Sequence, residues 1–429
     1  MNLPILASLW LLNSASGNSW DRSNPDAPHP TLKGLLQHAY RASPFYRARM
    51  DECGLGGTST YSRKDLQRLA VLEKQMLRDH LDEIVCRDVP IQKLKMRKTT
   101  GSTGFPLALP TSNAEYLFEL YAWHRIYMAA GLHPHLRQVK FFMSATESSA
   151  PERTGFGGCF RRWRISAMCS PAAKVECLKR VRPHAVFGLA SVLGEIAQEL
   201  ERRQETLPIP LVFSTSDMLW DNLRAQIKAR LGADPFDAYG TVETGPLAWK
   251  CRADGTWILN CGWVILEILD SQGQPAKRGR VVCTVLWRRT VPLIRYALGD
   301  IAEWADPGTG RGQSTDRLAR LHGRENELLR LPNGETVSAS QLNAVVRTMP
   351  GIRQFQIVQE SEGQLRYQLE TNADYPADGD RQILARFRER FRDALAARIV
   401  HVDSIPRAPG AKFSPFVGLD RNPNAKVAP

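Results

Sequence analysis

Between Val139 and Leu231 the chain alternates strand and helix signals, which leaves few folds open. Val139-Lys140-Phe141-Phe142 reads as a buried strand, Ala185 to Leu189 as a second, and Leu211-Val212-Phe213 as a third. Ser191 to Arg202 and Leu219 to Leu231 read as helices following the second and third. Strands linked through helices run parallel, so the pattern predicts a doubly wound α/β layer. Ligands of such sheets bind at the carboxyl ends of the strands. Ser214-Thr215-Ser216-Asp217 lies at one such end, and Phe236 to Gly245 at the next. Ser148 to Phe160, rich in Ser, Gly and charge, reads as a loop.

On either side the pattern changes. Leu32 to Arg49 has helical periodicity, broken at Ser43-Pro44-Phe45-Tyr46, and Ser62 is the candidate N-cap of a second helix. Asn113 to Gly131 reads as an aromatic-rich helix. Trp257 to Trp287 alternates as strands, with turns at Gln272-Gly273-Gln274-Pro275 and Gly279-Arg280. Gly323-Arg324-Glu325-Asn326-Glu327 reads as a hinge. Beyond it, strands at Gln354 to Gln359, Leu365 to Glu370 and Ile399 to Val402 and helices at Ser340 to Met349 and Arg381 to Ala396 form a compact α+β unit. At 429 residues the chain holds more than one core. The expected division is a large N-terminal domain over residues 1–322 and a small domain over 323–429.

The candidate chemistry begins at Thr99-Thr100-Gly101-Ser102-Thr103-Gly104, which follows the basic residues Lys93, Lys95, Arg97 and Lys98. Glycines let the backbone approach a polyanion, and hydroxyls and N–H groups donate to its oxygens. It is not a Walker A loop, because no Gly-Lys-Ser/Thr follows at that spacing. Tyr239-Gly240-Thr241-Val242-Glu243 offers an aromatic face for a base, a glycine and a hydroxyl for phosphate, and a carboxylate for Mg²⁺. Asp300, following Gly299 at an expected strand end, is placed to accept ribose hydroxyls. Near the C-terminus Pro409-Gly410-Ala411-Lys412 presents one lysine. The aromatic residues of the 113–131 helix either belong to the core or wall a pocket for an aromatic substrate, and His124 reads as a packed histidine.

The net charge is +13, but the arginine-rich stretches are short and scattered, so no nucleic-acid partner is expected. Eight cysteines without a Cys-x-x-Cys pair suit a reducing, cytoplasmic setting. The largely apolar Leu3 to Leu12 lacks a basic n-region and is too short to span a bilayer; it reads as a docked helix or as an upstream choice of start codon.

The order of these motifs resembles the adenylate-forming superfamily of acyl-CoA synthetases. It is most similar to the phenylacetate–CoA ligase-like branch, which also holds deazaflavin-coenzyme adenylyltransferases and capsule-biosynthesis proteins. The motifs are the Ser/Thr/Gly loop, Tyr239-Gly240-x-x-Glu243, Arg295-Tyr296-x-x-Gly299-Asp300, the Gly323-Arg324 hinge and the terminal lysine loop. Tyr40-Arg41-Ala42-Ser43-Pro44-Phe45-Tyr46-Arg47 is similar to that branch's N-terminal segment, and the likeness runs from Leu32 to Val417. The resemblance implies that Thr99, Thr100, Gly101, Ser102, Thr103 and Gly104 hold the β- and γ-phosphates of ATP. Ser214 to Asp217, Ser216 and Asp217 among them, and Tyr239 would frame adenine, with Gly240 beside them. Thr241 would touch the α-phosphate and Glu243 would hold Mg²⁺. Asp300 would bind ribose with Arg324 alongside, and Lys412 would approach the reacting carboxylate. The C-terminal domain would rotate as a lid.

Four departures qualify the resemblance. Phe105 and Leu107 stand where a lysine is usual, Val242 replaces the hydroxyl residue before the glutamate, and Lys412 is displaced by one position. Cys251 matches the first position of a metal cluster found in some relatives, but Trp257 stands where its histidine is expected, so no structural zinc is expected there. Three functions follow: AMP-forming activation of a carboxylic acid, aromatic by preference, with transfer to coenzyme A or an acyl carrier protein; adenylylation of a hydroxyl; or nucleotide binding without turnover.

Overall fold

The computed structural model describes residues 30–58, 60–88, 90–98, 107–142, 152–156, 159–215, 218–250, 254–306, 317–325, 328–330, 336–338, 342–343, 345–346, 349–391, 395–405 and 415–419. Leu3 to Leu12 lies outside them. The chain forms two compact units, one from residues 1–129 and 238–321 and the other from 130–237 and 322–429. Among the described residues no helix is long and apolar enough to cross a membrane.

The first unit opens with the helices Pro30–Ala42 and Pro44–Glu52. Ser43 separates them: its backbone is extended and its side chain accepts from Tyr46 N, while Pro44 takes the first helical turn. Ser62 is the N-cap of Arg63–Arg68, as expected, and the structure adds a capping box with Asp65. Then follow the short helices Lys74–Asp79 and Leu81–Ile84, the antiparallel pair β1 (Lys95–Lys98) and β2 (Ala108–Thr111), and the helix Asn113–Ala129.

The chain next enters the second unit. Here β3 (Gln138–Phe142), β4 (Glu152–Phe156), β5 (Cys159–Ser166), β6 (Ala185–Gly188) and β7 (Leu211–Thr215) are ordered β7-β6-β3-β5-β4. All pairs are parallel except β4–β5, so the expected parallel layer is present with one antiparallel edge. The expected loop between Ser148 and Phe160 is corrected: Glu152–Phe156 is that edge strand, and β5 begins at Cys159. The helices Pro171–Val181, Ala190–Arg202 and Asp221–Leu231 connect the layer, and Val186, Ile196, Val212 and Ile227 sit in its core.

The first unit, from Ala238 to Leu321, then holds most of β8 (Phe236–Thr241) and β14 (Arg317–Arg324) and all of β9 (Gly245–Lys250), β10 (Trp257–Leu259), β11 (Val264–Leu269), β12 (Arg278–Val285) and β13 (Tyr296–Trp304), in the order β11-β12-β13-β14-β10-β9-β8. Their core includes Leu247, Ile265, Val281, Leu293 and Tyr296. Asp270 accepts from Gln272 N and Gln274 N and makes the predicted turn. Gly279 and Arg280 are not a turn; both pair inside β12. Asp300 is likewise not at a strand end. It sits within β13, where the register shifts between the Arg280–Ile301 and Val282–Ala297 pairs. Gly299 has φ +73°, a conformation that glycine adopts without a Cβ penalty, and it shapes this bulge.

The rest of the second unit contains the pair β15 (Leu328–Arg330) and β16 (Thr336–Ser338). A four-stranded sheet follows, from β17 (Ile352–Ser361), β18 (Gln364–Thr371), β19 (Ala396–His401) and β20 (Phe416–Val417). Helix Gly379–Phe391 buries Ile383 and Phe387 against it, giving the predicted α+β fold.

Candidate functional site

The first unit holds five of the predicted site residues: Tyr239, Gly240 and Thr241 on β8, Glu243 in the turn that follows it, and Asp300 on β13, which the Tyr239 side chain reaches. Tyr239 Oη donates to Asp300 Oδ2 at 2.7 Å, and Trp257 meets the Tyr239 ring edge-on at 6.4 Å between centroids. The bulge in β13 is what presents Asp300 to a residue of β8, since a regular register would place its side chain elsewhere.

Gly240 is required by packing. A Cβ there would stand 2.4 Å from the Gly245 carbonyl oxygen and 2.9 Å from the Trp123 ring. The strand therefore runs tightly past β9 and reaches its turn in a fixed place. Within that turn Thr241 Oγ1 accepts from Thr244 N at 3.1 Å and shares a 3.0 Å hydroxyl contact with Thr244 Oγ1. Trp263 Nε1 donates to the Thr244 carbonyl, and Phe118 stacks on Trp263 at 4.8 Å.

Glu243 follows this turn and is 6% exposed. Its Oε1 faces Lys74 Nζ at 3.2 Å, while Oε2 takes no hydrogen bond from any described residue. Arg288, almost fully buried, donates from Nη1 to the Glu243 carbonyl at 2.7 Å and from Nη2 to Thr111 Oγ1 at 3.2 Å. Burial lowers the Arg288 pKa, opposed by Glu115, Glu119 and Glu243 nearby. Burial also pushes the Cys283 thiol up, and Glu243, Asp300 and Glu267 add to that effect, so these carboxylates share one field.

Several of these groups carry no sequence signal of their own. Lys74 is positioned because Leu72 pairs with the start of β13: Leu72 N donates to the Arg295 carbonyl and Ala297 N to the Leu72 carbonyl. Arg280 adds a two-oxygen grip on Glu73 at 2.9 Å to each. Arg295, in the predicted Arg-Tyr-x-x-Gly-Asp motif, is structural. It is buried at φ +50°, holds Glu267 with two nitrogens, and donates to the carbonyls of Gln67 and Leu69. Glu115 accepts from Ser112, Arg289 and Thr290 and so ties helix Asn113–Ala129 to the loop carrying Arg288.

Of the other predicted residues, Arg324 ends β14 and is partly buried. Thr99, Thr100, Gly101, Ser102, Thr103, Gly104, Ser216, Asp217 and Lys412 lie outside the described residues.

The CapK C-terminal domain family matches residues 329–417. Along most of its length the chain is similar to a phenylacetate-coenzyme A ligase of Thermus thermophilus, 23% identical with 87% of this chain and 84% of that one covered. A phenylacetate-coenzyme A ligase of Pseudomonas putida is 24% identical, with 73% of each chain covered. Among solved structures, 2-hydroxyisobutyryl-CoA ligase in the postadenylation state with 2-HIB-AMP shares the fold. Its TM-score is 0.73 at 19% identity, with 90% of this chain and 88% of that chain covered. Along most of its length the chain is therefore similar in sequence to phenylacetate-coenzyme A ligases, and it shares its fold with 2-hydroxyisobutyryl-CoA ligase.

Proposed function

We propose that the chain is an AMP-forming acid–thiol ligase that activates a carboxylic acid with ATP and transfers the acyl group to coenzyme A. The observation that carries this reading is the Tyr239–Glu243 turn, with a buried carboxylate opposite Lys74 and a ribose-type acceptor, Asp300, oriented by Tyr239. Glu243 suits a Mg²⁺ ligand: it is a hard oxygen donor whose Oε2 accepts from no described residue. Mg²⁺ bound there would neutralise charge building on the phosphates.

The chain's own residues do the rest. Asp300, with one oxygen held by Tyr239, accepts hydroxyls of the ribose. Thr241, pinned by Thr244, faces the α-phosphate. Lys74 and Arg288 hold the Glu243 side chain and backbone, so the carboxylate does not reorganise during reaction. The motif resemblance supports phosphate contacts by Thr99 to Gly104, adenine contacts by Ser216 and Asp217, a ribose contact by Arg324, and charge stabilisation by Lys412. Residues 1–322 then act as the adenylation domain and 323–429 as its lid. ATP and coenzyme A are cytoplasmic metabolites, so the reading puts the protein in the cytoplasm. An aromatic acid leads the substrate classes, because Phe118, Trp263 and Trp287 cluster beside the Thr244 turn.

The test is pyrophosphate release from ATP–Mg²⁺ against aryl, arylacetic and fatty acids, with and without coenzyme A. Acid-dependent release and a coenzyme A-dependent thioester are expected. A stable adenylylated product with no thiol requirement would replace the reading with adenylyl transfer to a hydroxyl, whereas acyl transfer to a phosphopantetheine carrier thiol but not to coenzyme A would make the acceptor a carrier protein. ATP binding without release would make the chain a non-catalytic nucleotide binder.

A further inference from the structure

Away from the nucleotide residues, His38, Cys86 and Asp88 place one donor atom each within 4.8 Å of one another. His38 lies on the first helix, Cys86 is fully buried, and Asp88 reaches the surface. His38 Nε2 stands 3.1 Å from the Arg289 carbonyl oxygen, which can only accept, so Nε2 carries the proton. In the neutral ring the Nδ1 lone pair then points to the other two donors. A carbonyl gripping the far nitrogen is how proteins orient a metal-binding imidazole.

His38 Nδ1 and Asp88 Oδ2 are 3.8 Å apart. That is too long for a hydrogen bond. It is about half an ångström longer than the separation between two ligands on a tetrahedral ion, given metal–ligand bonds of about 2.0–2.1 Å, so a small side-chain movement closes the pair on an ion. The backbone around Cys86 is fixed on both sides: Cys86 N donates to the Thr290 carbonyl and Arg87 N to the Ala42 carbonyl. The nearby charged groups are Glu115 and Arg289, and a guanidinium nitrogen of Arg289 is bound to the Gly34 carbonyl.

We propose that His38, Cys86 and Asp88 form a three-ligand site for a divalent metal of the zinc class, which fastens the first helix to the segment leading into β1. A thiolate and a carboxylate balance the dication, the imidazole stays neutral, and the exposed Asp88 side leaves a fourth position for water. The thiol proton leaves to solvent as the sulfur–metal bond forms. The site is structural and independent of the ligase reading.

The test uses the full-length chain, stripped with chelator under reducing conditions and titrated with Co²⁺. The wild type should take up one equivalent with a sulfur-to-cobalt charge-transfer band and four-coordinate d–d absorption, both displaced by Zn²⁺. Cys86→Ala should lose the charge-transfer band, and His38→Gln and Asp88→Asn should each weaken Co²⁺ binding at least about tenfold. Zn²⁺ should raise the wild-type Tm by more than that of any of the three variants. No thiolate band in the wild type overturns the proposal. So does an undiminished band in Cys86→Ala, which would place the metal on another of the eight cysteines. If Cys86→Ala does not fold, unchanged Co²⁺ affinity in either other variant overturns it.

Discussion

Lys74 Nζ lies 3.2 Å from Glu243 Oε1, and the carboxylate is the more buried partner, its side chain 8% exposed against 26% for the lysine. Such a pair sets both position and charge. Glu243→Gln keeps the shape and a partner for Lys74 but removes the negative charge. Pyrophosphate release should fall by about 10²-fold or more, as for loss of one preorganised electrostatic group, and the Mg²⁺ dependence should weaken. Lys74→Met leaves the carboxylate without its cation and should cost about 1–3 kcal/mol of stability. Steady-state kinetics across Mg²⁺ concentration and thermal unfolding check the two halves. Wild-type rates in Glu243→Gln at every Mg²⁺ level would remove the metal role.

Tyr239 Oη orients Asp300 through a 2.7 Å hydrogen bond. Tyr239→Phe should raise the KM for ATP by about fivefold, the worth of one ordinary hydrogen bond, with kcat little changed. Asp300→Ala should raise it by about 10- to 100-fold, since it loses charge-assisted bonds. A kcat effect without a KM effect would mean Asp300 does not hold the nucleotide.

Arg295 and Glu267 form a two-point ion pair inside the first unit. Arg295→Ala strands a buried carboxylate and releases the Gln67 and Leu69 carbonyls. It should destabilise the protein by about 3–5 kcal/mol, seen as a lower midpoint in denaturant unfolding. Joint replacement, Arg295→Met with Glu267→Leu, should recover much of that loss, as no charge is then left unpaired.

Gly240→Ala would drive a Cβ against the Gly245 carbonyl oxygen and the Trp123 ring. A stability loss of about 1–3 kcal/mol is expected for such overpacking, together with lower activity because the Thr241 turn must shift. Calorimetry and pyrophosphate release on the same preparation test both. An unchanged Tm would show that the strand has room.

The Arg202 guanidinium bonded to Glu199, with Arg203 beside it, lowers the carboxyl from its ordinary 4.5 to about 2 despite desolvation. A carboxyl depressed in the folded state contributes stability above its unfolded pKa and loses it as pH falls through the folded value. Wild type should therefore exceed Glu199→Gln in Tm at pH 6. The gap should begin to close below about pH 4.5, the ordinary carboxyl value, and be gone once the pH has passed below the folded value. A gap that persists at the acid end would mean the pair acts through packing alone.

Local pattern determined much of this protein. The 2- and 3.6-residue periodicities of Val139 to Leu231 specify strands and helices from near neighbours, and the parallel layer follows. Ser62 with Asp65, and Ser43 with Pro44, mark helix starts because capping acts over three residues. The Tyr-Gly-x-x-Glu stretch was legible because its residue types stand together in the chain. Tertiary structure decided what those residues meet. Lys74 and Glu243 are 169 positions apart, and only the pairing of Leu72 with β13 brings them to one place. The edge strand Glu152–Phe156 looks like a loop because its polar composition is acceptable only with β5 alongside. Gly279 in β12 and Gly299-Asp300 in β13 carry turn-like residues inside strands, one paired and one bulged, and that difference depends on the neighbouring strand's register. Hydrogen bonds and charges act over a few ångströms in space, whatever the separation in sequence, so the site's electrostatics belong to the fold while its inventory of groups belongs to the chain.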